Sequence, residues 1–168
     1  MTVYLSRFDP SATYAKLKQF DCGHDVINRF VRSSLKQQVQ KNLSVAYVLT
    51  DRQQENRFVG FYTFAQHMID VSLLSNLQLG SLPRSIPCSR LVMLGVDKDY
   101  KGQKFGAMLL KNAVVLTKSI GQQIGSFGMY LDADAAAVTF YQKLGFSLLE
   151  GNKSPDPSPM FLPMRSIP

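Results

Sequence analysis

The sequence predicts an α/β protein with a mixed β-sheet and helices on both sides of it. Three observations predict this class. Segments with strand patterning alternate with segments of helical periodicity along the whole chain. Residues 90–97 are almost continuously apolar, which is typical of a central strand covered on both faces. The 168 residues are 45% hydrophobic, so we expect one core and a single domain over residues 1–168.

The first half of the chain is predicted to contain three strands and one helix. Partial alternation predicts a strand at residues 2–8. Apolar side chains recur at helical spacing in residues 24–42, which predicts one amphipathic helix with Val26, Ile27, Phe30, Val31 and Leu35 facing the core. Residues 44–50 and 57–69 are β-branched and aromatic and flank a polar turn, so they predict a hairpin. One glycine and two prolines make residues 71–89 irregular in this reading, apart from a short helical turn.

The middle of the chain is predicted to contain the central strand, a helix and a further strand. Gly95 inside the strand predicts either a bulge or a close approach by another part of the backbone. The apolar pattern after the strand predicts a helix over residues 106–120, ended by Gly121. Residues 125–133 are again apolar and predict a further strand.

The last part of the chain is predicted to hold one short helix and two short strands. Asp134 is a candidate N-cap for a helix over residues 135–144, and Gly145 suits the position just past its end. Residues 146–150 and 159–164 predict the strands, and the three prolines of residues 151–159 exclude a helix in that segment.

The charge distribution favours a polyanionic partner. Net charge is +7, with 19 basic and 12 acidic side chains. No acid lies between Asp25 and Asp51, and Arg29, Arg32 and Lys36 share one face of the predicted helix. A solvated face is the common meaning of such a pattern, but on a basic protein it also suits contacts with nucleic-acid phosphates.

Several classes of protein are disfavoured by the same sequence. Cys22 and Cys88 lack metal-ligand spacing, so we expect no structural metal and a reducing cytoplasm. No apolar segment approaches the roughly 18 residues that a membrane helix needs. The N-terminus lacks the layout of a signal peptide, so we expect a cytoplasmic protein without a membrane partner.

The segment DKDYKGQKFG, residues 97–106, lies between the buried strand and a helix. Backbone N–H groups and the positive end of the helix dipole meet there, and Lys101 and Lys104 add charge. This combination suits a pyrophosphate, although an ordinary strand-to-helix turn is the alternative. The P-loop and dinucleotide-binding glycine patterns are both absent.

Two motifs in this layout resemble those of the GNAT acetyltransferase superfamily. The acetyl-CoA loop of that family, [RQ]-x-x-G-x-[GA], is similar to Lys101-Gly102-Gln103-Lys104-Phe105-Gly106. Its helix ending F-Y-x-x-x-G-F matches Phe140-Tyr141-Gln142-Lys143-Leu144-Gly145-Phe146. The segments FDCGHDVINRFVRSSLKQQVQKNLSVAYVL and MFLPM further resemble the TacT/AtaT-like GNAT toxins of type II toxin–antitoxin modules.

The resemblance implies a fold, an activity and partners. It implies a central mixed sheet of six to seven strands flanked by about four helices. It also implies an N-acetyltransferase with acetyl-CoA as co-substrate. Toxins of this group acetylate the α-amino group of aminoacyl-tRNA and so block translation. They are neutralised by a ribbon-helix-helix antitoxin, and they often form homodimers.

The resemblance also implies roles for individual residues. Tyr141 is the implied acid for the departing CoA thiolate. The strand edge at Leu94, Gly95 and Val96 would pair with the pantetheine arm and polarise the thioester carbonyl. The loop Lys101, Gly102, Gln103, Lys104, Phe105 and Gly106 would hold the pyrophosphate, and Asp134 would lie near the cofactor arm or serve only as an N-cap. The candidate RNA contacts are Arg29, Arg32, Lys36, Arg84 and Arg90.

The acceptor is the least determined part of this hypothesis. An α-amino group has a pKa near 8 and needs no dedicated base, whereas a lysine amine near 10.4 does. The chain offers no convincing carboxylate base, and His67 is expected to be structural, which favours an α-amine. Met93 lies where the toxins usually have arginine. Two alternatives therefore stay open: acetylation of a small amine or a protein N-terminus, and a CoA-binding relative without catalysis.

Overall fold

The computed structural model describes residues 2–168, which form one mixed sheet and four α-helices. The strands are β1 Val3–Arg7, β2 Val45–Asp51, β3 Arg57–Asp70, β4 Ser85–Val96, β5 Gly128–Ala133, β6 Ser147–Leu148 and β7 Ser158–Pro163. The helices are α1 Asp25–Ser33, α2 Leu35–Gln40, α3 Phe105–Gln123 and α4 Val138–Lys143. Neighbouring strands follow the order β1-β2-β3-β4-β5-β7-β6. The predicted α/β class and mixed sheet are confirmed, since β4 and β5 are parallel whereas β5 and β7 are antiparallel.

The chain forms two compact units. The first contains residues 2–65 and Val92–Ala113, and the second contains Gln66–Leu91 and Val114–Pro168. None of the helices in residues 2–168 is both long and apolar enough to span a membrane.

The core of the first unit is built from aromatic side chains of β3 and of the segment before α1, together with aliphatic side chains of α1 and α2. Phe20, Phe58 and Phe61 are fully buried, and the Phe20 ring meets the Phe58 ring edge-on at 5.2 Å between centroids. Val31 and Leu35 pack into the same cluster. Edge-to-face aromatic contacts of this kind stabilise the fold by about 0.5–1.5 kcal/mol beyond the stabilisation that comes from burying the rings.

The single helix predicted for residues 24–42 is two helices. The chain leaves helical geometry at Ser34, whose φ is −127°. One turn earlier, the Ser33 hydroxyl donates to the Arg29 carbonyl oxygen at 2.7 Å, a type of bond that bends helices. Val26 is 55% exposed and does not face the core, because its side of α1 is the side of Arg29 and Ser33.

The strand β4 begins at Ser85, so the prediction of an irregular segment up to residue 89 was wrong. Ser85 and Pro87 are exposed while Ile86 and Cys88 are buried, which is the period of two expected of a strand. Proline is tolerated close to a strand start. The expectation that this strand is covered on both faces was also wrong, because Val92 is 39% exposed.

The helix α3 extends past Gly121, which was predicted to end it. A Cβ at Gly121 would lie 2.5 Å from the Met164 Cε, so the missing side chain makes room for a neighbour. The left-handed residue beyond the helix is Gly125, with φ +84°.

In the second unit a separate buried cluster includes Ile69, Leu74 and Phe161.

Candidate active site

The loop between β4 and α3 has the geometry of an anion-binding turn. Gly102 and Lys104 have φ of +80° and +64° and lie on either side of Gln103. Residues 101–104 are exposed, and a Cβ at Gly102 would meet nothing within 4 Å. α3 begins at Phe105 and continues for 19 residues, so its first-turn N–H groups, including that of Gly106, carry the positive end of a long helix dipole. The loop is therefore able to bind a diphosphate through backbone N–H groups.

Lys104 adopts a conformation that glycine prefers. Its position is that of a glycine in the motif which the loop resembles, and its φ of +64° lies in the left-handed region. An L-residue with a Cβ is strained there by roughly 1–2 kcal/mol. The lysine therefore leaves the loop shape intact but at a conformational cost.

The strand edge before the loop holds Leu94, Gly95 and Val96. A Cβ at Gly95 would lie 3.2 Å from both the Cys22 Sγ and the Ile27 Cγ2, so the close approach at this glycine is made by two side chains and not by the backbone that was predicted. Leu94 and Val96 are half-buried. Met93, next to them, packs against the core of the first unit, and its N–H donates to the Thr63 Oγ1 at 3.1 Å.

The base of the loop is fixed by a buried carboxylate at the end of β4. Asp97 is 3% exposed, and its Oδ1 accepts from the Asp99 N–H at 3.0 Å and from the Arg57 Nη2 at 3.3 Å. The same Arg57 Nη2 donates to the Asp99 Oδ2 at 2.7 Å and lowers the pKa of Asp99. Beside them the Tyr100 hydroxyl donates to the Asp51 Oδ2 at 2.7 Å, and burial followed by this bond raises the pKa of Tyr100 to about 12.

Tyr141 is held in place by the way α4 ends. Gly145, with φ +100°, donates its N–H to the Gln142 carbonyl oxygen, and Phe146 donates its N–H to the Tyr141 carbonyl oxygen, both at 3.1 Å. These two bonds form a Schellman motif, in which the residue after the glycine packs against the residue five positions earlier. The Phe146 and Tyr141 rings indeed meet at 5.7 Å between centroids. The spacing Y-x-x-x-G-F is therefore the spacing of a helix end.

The environment of Tyr141 keeps its phenol protonated. The residue is 8% exposed, and burial raises its pKa, with a further contribution from the negative charge of Asp134. Asp134 was predicted to be the N-cap of a helix over residues 135–144, and it occupies the N-cap position of the 3₁₀ turn before α4 but not that of α4. A 3₁₀ turn at Ala135–Ala137 intervenes, the Asp134 side chain makes no capping hydrogen bond to it, and Ala137 occupies the N-cap position of α4.

The candidate RNA contacts in the first unit are exposed, as predicted. Arg29, Arg32 and Lys36 are all exposed, although the break at Ser34 places Lys36 in α2. Arg29 and Arg32 line one shallow cavity of about 260 Å³ together with Asp25, Asn28 and Ser33. One donor of Arg32, its Nη2, is used by the Phe20 carbonyl oxygen. The remaining guanidinium donors of this face are available to an anion.

The two candidate RNA contacts in the second unit differ in how firmly they are held. The Arg84 side chain is 92% exposed, and its Nε lies 3.9 Å from the Asp70 Oδ2. The Arg90 Nη2 donates to the Asp132 Oδ2 at 3.2 Å, and its guanidinium lies 5.8 Å from the Tyr130 ring centroid. Arg90 is therefore pre-oriented, whereas Arg84 is an exposed surface charge with one long ion pair.

Comparison with known proteins decides the family. The sequence model of the family described as an acetyltransferase (GNAT) domain matches residues 42–148. The match includes β4, the glycine loop, α3 and Tyr141.

The chain belongs to the GNAT acetyltransferase family. It is an N-acetyltransferase, and acetyl-CoA is its co-substrate. The predicted resemblance to GNAT toxins of toxin–antitoxin modules is likewise confirmed.

Three relatives describe this part of the GNAT family. A probable toxin TacT from Sinorhizobium fredii (strain NBRC 101917 / NGR234) is 28% identical, over 96% of this chain and 88% of its own. The crystal structure of a bacterial toxin is 38% identical with a TM-score of 0.93, over 98% of this chain and 92% of that chain. AtaT complexed with acetyl-methionyl-tRNAfMet is 28% identical with a TM-score of 0.87, over 98% of this chain and 96% of that chain. Another structure holds an AtaT tyrosine-to-phenylalanine mutant with the C-terminus of the antitoxin AtaR and acetyl-CoA.

Sequence reasoning missed a cluster around Tyr130 in this GNAT chain. The His67 ring stacks on the Tyr130 ring at 5.0 Å, and the Tyr130 hydroxyl donates to the Asp132 Oδ1 at 2.9 Å. Burial lowers the pKa of His67, and the charge of Arg90 adds to this, so the imidazole is neutral at pH 7. The spacing of Tyr130 and Asp132, two apart in a strand, was a signal that both share one face. Within residues 2–168, no three side chains of the metal-binding types are placed to hold a metal ion.

Proposed function

We propose that this GNAT N-acetyltransferase is a toxin that acetylates the α-amino group of aminoacyl-tRNA and thereby blocks translation. The observation that carries the proposal is the exposed basic face of α1 and α2, formed by Arg29, Arg32 and Lys36 in a stretch without any acid from residue 26 to residue 50. It suits a phosphate backbone. The similarity to AtaT, which has been solved with acetyl-methionyl-tRNAfMet, supports the same substrate class.

In this proposal the loop and the strand edge hold the co-substrate within a single domain over residues 1–168. Acetyl-CoA, when bound, supplies an acetyl group activated as a thioester. The N–H groups of residues 101–106 bind its diphosphate, since the loop is open and followed by a long helix. Backbone groups of Leu94, Gly95 and Val96 pair with its amide-bearing arm. An N–H group there polarises the thioester carbonyl, an interaction whose loss typically costs about 3–4 kcal/mol.

Tyr141 is assigned as the acid. Its hydroxyl holds a proton at neutral pH because burial raises its pKa, so it is able to protonate a departing thiolate. The acceptor amine needs no base from the protein, because an α-amino group with a pKa near 8 is partly neutral at pH 7. His67 is not used, since it stacks on Tyr130 as a structural side chain. Asp134 contributes its charge, which favours the protonated phenol, and is assigned a place near the cofactor arm.

Arg29, Arg32, Lys36, Arg84 and Arg90 are assigned to the RNA. A ribbon-helix-helix antitoxin is the expected protein partner, and the similarity to AtaT, solved with the C-terminus of the antitoxin AtaR, supports a partner of that role. A homodimer and a cytoplasmic location complete the proposal.

The experiment that tests the substrate uses labelled acetyl-CoA with bulk charged tRNA. We expect label on the aminoacyl group, and the double variant Arg29→Glu with Arg32→Glu should bind tRNA more weakly and with a flatter dependence on salt. An unchanged salt slope would remove these two residues from the RNA site. Label on a small amine or a peptide N-terminus but not on tRNA would favour the alternative acceptors, which were considered because Met93 lies where the toxins usually have arginine. Acetyl-CoA binding without turnover on any acceptor would instead indicate a non-catalytic relative.

A further inference from the structure

The acetyl-CoA loop is tied at its base to the turn that precedes α1. On the loop side are Asp97, Lys98 and Lys101, and on the turn side are Asp21 and Cys22; we refer to these five residues as the loop anchor. The Lys101 Nζ donates to the Cys22 carbonyl oxygen at 2.7 Å. The Lys98 Nζ lies 3.2 Å from the Asp21 Oδ2, and the Lys98 N–H donates to the Asp21 carbonyl oxygen at 2.8 Å.

The turn side of the loop anchor is itself rigid. The Asp21 Oδ1 accepts from the Gly23 N–H at 2.9 Å and from the Asn28 Nδ2 at 3.0 Å. The Asn28 Oδ1 accepts from the Cys22 N–H at 2.8 Å, and Asn28 is 6% exposed. The N–H of Asp21 also donates to the Asp97 Oδ2 at 3.2 Å. Lys101 therefore donates to a carbonyl whose position is fixed from both sides.

Lys101 occupies the first position of the glycine loop. The two residues with left-handed φ, Gly102 and Lys104, follow immediately, and all residues from 101 to 104 are exposed. Because residues 101–104 are exposed, few packing contacts order them. Contacts at the ends of the loop therefore determine how much conformational entropy is lost when the loop binds a ligand. The Lys101 ammonium makes such a contact before the left-handed turn begins.

We propose that Lys101 is a positioning residue: its ammonium fixes the acetyl-CoA loop to the Cys22 carbonyl oxygen rather than binding phosphate, and so couples cofactor binding to the start of α1. The proposal depends on the assignment of residues 101–106 to acetyl-CoA made above. Because α1 carries Arg29 and Arg32, ordering of the loop by acetyl-CoA also orders the segment that leads into the basic face.

The test compares Lys101→Met and Lys101→Arg with wild type, and uses Lys118→Met as a matched control. Lys118 also donates its Nζ to a main-chain oxygen, that of Pro168 at 2.8 Å, but lies in the part of α3 that belongs to the second unit. Acetyl-CoA affinity is measured by calorimetry at several salt concentrations. Hydrogen exchange of residues 21–28 is followed with and without acetyl-CoA, and kcat and KM are measured with charged tRNA.

We expect Lys101→Met to raise the Kd and KM for acetyl-CoA about tenfold, the loss of one charge-assisted hydrogen bond, with kcat unchanged at saturation. Lys101→Arg, which keeps the charge and the donor, should restore most of the affinity, and Lys118→Met should bind as wild type does. Acetyl-CoA should slow exchange at residues 21–28 in wild type but not in Lys101→Met. The salt dependence of the Kd should be the same in all variants.

Three results would overturn the inference. A flatter salt dependence in Lys101→Met would make Lys101 a direct phosphate contact. An unchanged Kd in Lys101→Met, or unchanged exchange protection, would leave the loop anchor without a role in binding. Failure of the wild type to bind acetyl-CoA would instead count against the proposed function, so the two failures are distinguishable.

Discussion

The glycine loop at residues 101–106 and the helix end at residues 140–146 both resemble family motifs. They differ in which residue type occupies the left-handed positions of the backbone. At the helix end, the left-handed position is Gly145, with φ +100°, where no Cβ is strained. In the loop, one of the two left-handed positions is Lys104, with φ +64°. A motif departure thus carries a conformational cost only where the backbone demands the left-handed region, and the loop carries that cost while the helix end does not.

The two regions also differ in how far along the sequence their stabilising contacts reach. Tyr141 is positioned by local bonds, since the Phe146 N–H and ring both contact it within the same helix end. The loop is positioned by partners distant in sequence, such as Cys22, whose carbonyl oxygen accepts from Lys101. The helix end should therefore tolerate changes elsewhere, whereas the loop depends on the turn before α1.

The largest expected effect comes from Tyr141→Phe. The ring and its contact with Phe146 remain, but the hydroxyl proposed as the proton donor is lost, so kcat should fall about 10²- to 10⁴-fold with little change in unfolding free energy. Steady-state kinetics and thermal denaturation check both parts. Phe140→Leu, next to it in α4, serves as the control for packing in the same helix. A kcat within a few-fold of wild type for Tyr141→Phe would give the acid role to another group.

Gly145→Ala tests the helix end. The added Cβ would meet the Leu162 Cδ1 at 3.5 Å, an ordinary contact, so its cost is conformational and not steric. We expect the free energy of unfolding to fall by about 1 kcal/mol, since left-handed strain of 1–2 kcal/mol exceeds the gain from a stiffer unfolded chain. Chemical denaturation measures this. A stability equal to wild type would mean that the helix end relaxes to another geometry.

Lys104→Gly is the converse test in the loop. Relief of left-handed strain should outweigh the flexibility that glycine adds to the unfolded chain, for a net stabilisation below about 1 kcal/mol. Lys104→Ala keeps the Cβ and removes the same charge, so it isolates the backbone effect. Equal stability of the two variants in denaturation experiments would contradict a strained residue 104.

The smallest effect concerns the pH dependence at the loop anchor. The Gly23 N–H, followed by Asn28 and Lys98, lowers the pKa of Asp21 to about 2 from its ordinary 3.8. A carboxylate with a depressed folded-state pKa stabilises the fold above its unfolded pKa, and this contribution is lost as pH falls from about 4 to about 2. Asp21→Asn should therefore give a shallower loss of stability over that pH range.

Denaturation at a series of pH values measures this slope. The same substitution at exposed Asp156 controls for the loss of one surface charge. An Asp21→Asn slope identical to that of wild type would mean that the pKa of Asp21 is the same in the folded and the unfolded chain.

The sequence by itself determined the features that depend on neighbours along the chain. The hairpin of β2 and β3, the glycine loop ahead of α3 and the left-handed Gly145 were all predicted from local pattern, because turns, helix ends and periodicity are short-range properties. The same local signals misplaced the ends of β4 and α3. The prolines in the segment before residue 90 indicated irregular structure, although residues 85–88 alternate as a strand does. Gly121 makes room for Met164 and does not end the helix.

Only the tertiary structure decided the contacts that join distant segments. The Cys22 carbonyl oxygen that accepts from Lys101, the Asp97 carboxylate that accepts from Arg57 and Asp21, and the approach of Cys22 to Gly95 link residues whose sequence separation carries no periodicity. Their partners are chosen by how strands and helices pack, and buried polar groups then bond to whatever donors lie within reach. The roles proposed for the loop and for Tyr141 rest on their family motifs, whereas the contacts that anchor them required the folded chain.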